Sequence, residues 1–146
     1  MTVGRICSRE VDTAQPEESV QKVAQRMHAR VVGTLVVINA RREPIGMITD
    51  RDLAVRVIAA GRDATQTVVR EVMTSHPVTV YTDATIEAAL ISMRSNQCRR
   101  IPVVDGAGTL QGLLSLDDIL KRFGEDFQLI SGVLRDESPE SLAPPT

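Results

Sequence analysis

Aromatic side chains are nearly absent from this chain. It has no Trp, one Tyr and two Phe, so it cannot lay out the row of rings on which single-stranded bases stack. Cysteine is scarce as well. Cys7 and Cys98 stand far apart with no Cys or His at metal-ligand spacing, which argues against a zinc ribbon or a disulfide framework and for two reduced thiols. No single sign of charge dominates: 17 Lys and Arg face 19 Asp and Glu, a net charge of −2. That balance recruits neither nucleic acid nor a membrane surface. No apolar run approaches the ~20 residues of a membrane span, and no charged-then-apolar leader opens the chain; a cytoplasmic location is expected. His28 and His76 lack partners at ligand spacing. There is no P-loop, no nucleophile–base pair and no carboxylate pair set apart for acid–base work. Neither metal, catalytic cofactor nor catalysis is expected.

What the chain has instead is a duplication. Shifted by 66 residues without a gap, residues 3–62 lie over 69–128, and apolar positions fall on apolar positions nearly throughout. Ser19-Val20 meets Thr85-Ile86, Met27 meets Met93, Gly46 meets Gly112, Thr49 meets Ser115 and Asp52 meets Asp118. A period this long exceeds a solenoid unit and falls short of two independent domains. Two half-modules packed about a pseudo-two-fold axis are expected, so any site built once is built twice. With 146 residues and 42% hydrophobic content, they can share a real core.

Each copy predicts the order strand, helix, strand, strand, helix: an α/β (α+β) fold of two β-α-β-β-α repeats, each a small sheet with two helices. Ser19 and Thr85 are N-caps of helices whose apolar stripes run Val20, Val23, Ala24, Met27 and Ile86, Ala89, Leu90, Met93. Short lead-ins, residues 3–7 and 69–73, precede initial strands at 10–12 and 77–80. Residues 34–38 and 101–104 are unbroken apolar runs suited to strands buried on both faces, and they return after turns at 45–48 and 111–114. Pro102 cannot donate to a ladder, so it is expected at a sheet edge or a strand start. Closing helices begin at Thr49 and Ser115, turning Leu53, Val57 and Ile58, and Ile119, Leu120 and Phe123, inward; Gly61 ends the first. The first repeat is thus expected at 1–62, a linker at 63–68 and the second repeat at 69–124. A C-terminal helix or extension at 125–135 and a disordered tail at 136–146 follow.

One heptapeptide closes both repeats: Gly46-Met47-Ile48-Thr49-Asp50-Arg51-Asp52 and Gly112-Leu113-Leu114-Ser115-Leu116-Asp117-Asp118. The apolar pair ends a buried strand, the hydroxyl sits at the strand-to-helix junction, and Asp falls in the first helical turn. Unpaired N–H groups and a positive dipole end there welcome an anion such as phosphate. The hydroxyl adds a donor to the same anion. An ionised carboxylate offers two acceptor oxygens, which match the two O–H donors of a vicinal diol such as ribose. Phosphate donor beside ribose acceptor describes a nucleotide. The same spacing also caps a helix without any ligand, and the two readings are compatible.

The lead-in Val72-Met73-Thr74, the helix start Thr85-Ile86-Glu87-Ala88-Ala89, the strand Arg100-Ile101-Pro102-Val103-Val104-Asp105 and both Gly-x-x-Thr/Ser-x-x-Asp motifs resemble a tandem pair of CBS domains, a Bateman module. The likeness covers about residues 3–123. It implies a regulatory module that binds AMP, ADP, ATP or sometimes S-adenosylmethionine in clefts between the repeats, and that commonly forms homodimers. It also implies Asp52 and Asp118 on ribose hydroxyls and Thr49 and Ser115 on phosphate. Backbone near Val11 and Val78 would meet adenine, and Arg99 and Arg100 would meet phosphate charge. Gly33 and Thr34 replace that arginine pair in the first repeat, so the clefts are expected to differ in their preference for phosphate. The resulting reading is a sensor of adenine nucleotides that passes ligand state to a partner protein. Its rivals are a ligand-free scaffold for protein contacts and an S-adenosylmethionine or nucleic-acid binder on the same fold.

Overall fold

In the computed structural model, which describes residues 1–137, the two repeats fold alike down to the register of their strands. The first contains α1 (Val3–Ile6), β1 (Thr13–Ala14), α2 (Val20–Arg30), β2 (Thr34–Ile38), β3 (Pro44–Thr49) and α3 (Asp50–Asp52), which runs on into a π-helical stretch, Leu53–Ile58. The second contains α4 (Val69–Val72), β4 (Thr74–Ser75), β5 (Val80–Tyr81), α5 (Ile86–Ser95), β6 (Arg100–Val104), β7 (Leu110–Ser115) and α6 (Leu116–Asp136). The expected disordered tail lies, from residue 138 onward, outside the described residues.

Capping starts the paired helices as the sequence dictates. The Ser19 hydroxyl accepts from the Lys22 N–H at 3.3 Å, and the Thr85 hydroxyl accepts from the Ala88 N–H at 3.0 Å. Val20, Val23 and Met27, and Ile86, Ala89 and Met93, form the buried stripes. Ala24 is exposed and Leu90 half-buried, so each stripe is narrower than expected. In each hairpin the strands pair antiparallel from Thr34↔Thr49 and Arg100↔Ser115, and both slip register at the matched bulges Val37/Ile38 and Val103/Val104. The apolar runs are buried on both faces: Leu35, Val36, Val37, Ile101 and Val103 have no exposure.

Pro102 departs from expectation. It lies mid-strand in β6, the centre of its sheet, opposite Leu113. The neighbouring strand explains why this is tolerated. In the first repeat the Val36 N–H donates to the Asp12 carbonyl at 3.1 Å. Pro102 holds that position in the second, and β5 starts only at Val80, past the place where the missing bond would fall.

The initial strands also begin later than expected, at Thr13 and Val80, because the lead-ins belong to the opposite repeat. The Val3 N–H donates to the Ala84 carbonyl at 2.8 Å, and its counterpart, the Val69 N–H, donates to the Glu18 carbonyl at 2.9 Å. Val3 and Cys7 are buried in the second core with Ile86, Met93 and Leu114, whereas Val69 and Val72 are buried in the first with Val20, Met27 and Ile48. β4 then pairs with β3, and Ser8 bridges Leu113 on β7 in the same register. Residues 9–12 and 76–79 cross from one sheet to the other and cannot be strands. The crossing needs glycine. A Cβ on Gly112 would lie 2.7 Å from the Ser8 carbonyl oxygen and 2.8 Å from Cys7 Sγ, and one on Gly46 would run into the Met73 side chain. Between the sheets, Val36, Ile38 and Leu110 pack with Val11 and Leu113 to close the seam.

The closing helices bury less than predicted. Val57 and Ile119 are buried and Leu53 is half-buried, but Ile58, Leu120 and Phe123 are 76%, 57% and 42% exposed. The π-helical stretch winds wider than an α-helix and carries Ile58 off the docked face. In the second repeat only the first turn of α6 lies against the sheet, and the helix continues unbroken through Gly124 to Asp136. Gly61, at φ +70°, follows the first closing helix as expected. Among the described residues no helix is long and apolar enough to cross a membrane.

Candidate functional site

Each motif begins where a buried strand runs straight into a helix: β3 into α3 at Thr49, and β7 into α6 at Ser115. The cap is reciprocal in both. The Thr49 hydroxyl accepts from the Asp52 N–H at 3.2 Å, while the Thr49 N–H donates to Asp52 Oδ2 at 2.9 Å. Ser115 and Asp118 repeat the exchange at 3.0 Å each way. Helix capping is therefore one job of these residues. It leaves chemistry over. A hydroxyl that has accepted one bond still has a proton to donate, and each carboxylate keeps its Oδ1.

The two acids differ in their surroundings. Asp118 opens into a cavity of about 220 Å³ lined also by Arg5, Ile6, Lys121, Arg122 and Glu125. Lys121 and Arg122 stand one helical turn beyond the acid, whereas Arg5 arrives on α1 from the other repeat. The matching residues around Asp52 are Glu71, Val72, Val55, Arg56 and Ala59. Arg56 Nε lies 3.7 Å from Asp52 Oδ1, and the same guanidinium donates to the carbonyls of Val72 at 3.0 Å and Met73 at 3.3 Å. Positive charge gathers at the second motif and not at the first.

Arg99 and Arg100 stand at the same end of their hairpin as Ser115. Arg100 pairs with Ser115, and the Arg99 carbonyl accepts from the Leu116 N–H at 2.8 Å. The Arg99 guanidinium meets Asp117 at 3.5 Å on open surface, the two side chains being 70% and 71% exposed. At the matching place a Cβ on Gly33 would lie 2.8 Å from Asp50 Oδ2, so the first repeat has no room for such a side chain without a shift.

Val11 packs on the seam and lines a cavity of about 590 Å³ with Thr13, Gln15, Ile38 and Arg42. The residues matched to these five, Pro77, Thr79, Tyr81, Val104 and Gly108, line a second cavity of about 400 Å³ that also takes Glu43, Pro44 and Ile45 from the first repeat. A hollow thus opens between the halves, with Val78 half-buried in the chain segment that borders it. The described cavities do not join Val11 or Val78 to either acid. The first hollow is charged: Glu18 and Arg26 meet at 2.5 Å, and that hydrogen bond holds the Glu18 carboxyl below its usual range. Ala84 and Ser92 replace the pair in the second repeat, where Tyr81 is instead 57% exposed.

Both thiols are passive. Burial pushes Cys7 up, with Arg9 pulling it down and Asp118 pushing it up, and burial also raises Cys98. Protonated at neutral pH, they are poor nucleophiles and poor metal ligands. Among the described residues no group of three or more His, Cys, Asp and Glu could hold a metal ion.

The CBS domain profile matches residues 3–58 and, a second time, 69–125. The chain belongs to the CBS-domain family. This CBS pair is 34% identical over 121 residues to an uncharacterised protein of Methanopyrus kandleri, covering 83% of this chain but only 62% of that one. It is 37% identical over 110 residues to the CBS domain-containing protein YhcV of Bacillus subtilis, covering 75% of this chain and 76% of the relative. A solved CBS-domain-containing protein of Agrobacterium tumefaciens superposes with a TM-score of 0.72 at 29% identity, over 84% of this chain and 98% of the other. A tandem CBS module is a regulatory, ligand-binding kind of unit, which turns attention to what surrounds its two acids. Sequence reasoning missed Arg5, Lys121, Arg122 and Tyr81. The spacing of Lys121 and Arg122 from Asp118 was there to be read. The approach of Arg5 was not, because it depends on the crossing of α1.

Proposed function

We propose that this CBS pair is a non-catalytic cytoplasmic sensor, acting as a homodimer, that binds AMP, ADP or ATP and passes its ligand state to a partner protein. The observation that carries the reading is the duplicated cap. At each helix start a hydroxyl proton and a carboxylate oxygen lie outside the cap, which suits phosphate and ribose side by side, although at the first that oxygen, Asp52 Oδ1, already faces Arg56 at 3.7 Å. Arg5, Lys121 and Arg122 around Asp118, with Arg99 and Arg100 at the same hairpin end, make the second motif the one suited to phosphate charge. Tyr81 lines the hollow between the halves and supports an apolar contact for the base, in a cavity separate from the one at Asp118. A ligand held by both α1 and α6 ties the chain of one repeat to the closing helix of the other. It then favours whichever arrangement it binds better, by no more than its differential affinity.

A thermal-shift panel tests the reading. A nucleotide at ~100 times its dissociation constant adds roughly 2.7 kcal/mol, a rise of about 5–10 °C for a protein of this size. ATP is expected to act at lower concentration than AMP. A flat response to AMP, ADP and ATP overturns the proposal in favour of a ligand-free scaffold. A response to S-adenosylmethionine alone, or to an oligonucleotide with steep salt dependence, hands the fold to one of those ligands.

A further inference from the structure

The duplication gives the hollow between the halves an internal control, because each position around the first cavity has a counterpart 66 residues on. Four charged side chains, Asp12, Glu18, Arg26 and Arg42, line that cavity of about 590 Å³. Val78, Ala84, Ser92 and Gly108 stand at the matching positions. Gln15 likewise gives way to Tyr81, the one tyrosine of the chain. Besides Tyr81, the titratable side chains around the second cavity are His76 and Glu43, and Asn39 donates to the Glu43 carboxylate at 3.0 Å. The fold does not require this difference. The turn that carries Glu18 is kept without it: the Glu18 N–H donates to the Gln15 carbonyl at 3.2 Å, and the Ala84 N–H donates to the Tyr81 carbonyl at 3.0 Å.

Glu18 and Arg26 are occupied with each other. The Glu18 carboxylate accepts from both terminal nitrogens of Arg26, at 2.5 and 3.0 Å, and from the Gln15 N–H at 2.8 Å. Arg26 also donates to the Thr13 carbonyl at 2.8 Å. The Glu18 and Arg26 side chains are still 23% and 32% exposed, so each keeps part of its hydration. A base laid over them would strip that water while their hydrogen bonds stayed with one another. The Tyr81 ring, 57% exposed, offers a base a flat apolar face instead.

We propose that Gln15, Glu18 and Arg26 are specificity-determining residues that close the first hollow to a nucleotide base, so that each chain takes one nucleotide, with its base in the second hollow. The inference rests on the nucleotide reading above and goes beyond it by fixing which half receives the base. A chain with one occupied hollow answers its ligand in a single step.

Calorimetric titration of the full chain with ATP counts the sites. The wild type is expected to take one ATP per chain. Gln15→Tyr with Glu18→Ala and Arg26→Ser, which gives the first hollow the residues of the second, should admit another ATP. That ATP should bind more weakly, since Val55 stands where the second motif has Lys121. The reverse exchange, Tyr81→Gln with Ala84→Glu and Ser92→Arg, should weaken ATP binding at least about tenfold. A wild type that takes two ATP overturns the closure and leaves the nucleotide reading standing. So does a first-hollow variant that keeps the wild-type circular dichroism and still takes one, or a reverse exchange that leaves the affinity unchanged. A wild type that takes no ATP overturns both.

Discussion

Asp118→Asn is expected to weaken ATP binding at least tenfold while the protein stays folded, and Asp52→Asn is expected to weaken it less. The substitution is informative because the cap can survive it: the Asn oxygen can still accept from the Ser115 N–H, where the native bond is 3.0 Å. What disappears is the charged second acceptor, since the other end of the Asn amide is an NH2 group that donates and cannot accept from a ribose hydroxyl. A hydrogen bond to a charged group contributes ~1.5–3 kcal/mol, or about tenfold to a hundredfold and more in affinity. The sign of the change separates two roles. If Asp118 grips the ribose, removing its charge costs affinity. If it only offsets the positive charge of Arg5, Lys121 and Arg122, which line the same cavity, removing its charge leaves that cavity more positive, even with Arg122 beside Asp126 at 3.6 Å, and ATP binds more tightly. Calorimetric titration of both variants with ATP distinguishes these outcomes. Asp52 has a smaller part in this account because its surroundings lack the matching cations and Arg56 is already engaged by two carbonyls.

Gly112→Ala is expected to cost about 2–3 kcal/mol, near the upper end for overpacking a well-filled site. Gly46→Ala should cost nearer ~1 kcal/mol. The positions are equivalent in sequence and face matched residues of the two lead-ins, but not at the same distances. The added methyl at 112 meets a backbone oxygen, that of Ser8, at 2.7 Å, and Cys7 Sγ at 2.8 Å. To relieve it, the bridge between Ser8 and Leu113 must open and α1 must lift from the second core. At 46 the matched backbone oxygen, that of Thr74, is farther off at 3.1 Å, and the methyl meets chiefly the thioether of Met73, a flexible chain that can move aside. Urea unfolding of the two variants measures the difference. Equal costs would mean that the closer backbone oxygen at 112 is not what makes its substitution the more expensive. Because α1 also carries Arg5, Gly112→Ala should weaken ATP binding even under conditions where it stays folded.

Much of this architecture was legible because the chain states it twice. The caps at Ser19 and Thr85, the doubly buried runs around Val36 and Val103 and the reciprocal pairing of Thr49 with Asp52 all follow from local spacing. Local spacing cannot say which repeat a lead-in joins. Val3 and Val69 read as short apolar segments at the start of their own repeats, yet each is buried in the other's core. The misplaced initial strands, the shelter of Pro102 and the arrival of Arg5 beside Asp118 all trace to that exchange. The outward turn of Leu120 and Phe123 has a different origin. A helical stripe shows which residues share a face but not how many turns dock, and α6 outruns the sheet it packs on.

The most direct test of the central claim is the set of amide shifts in a ¹H–¹⁵N spectrum as ATP is added to the full chain. The account predicts that the largest changes fall on Ser115–Asp118, Lys121, Arg122 and Arg5, with smaller ones on Thr49–Asp52. Saturable binding that moves neither helix start would contradict it.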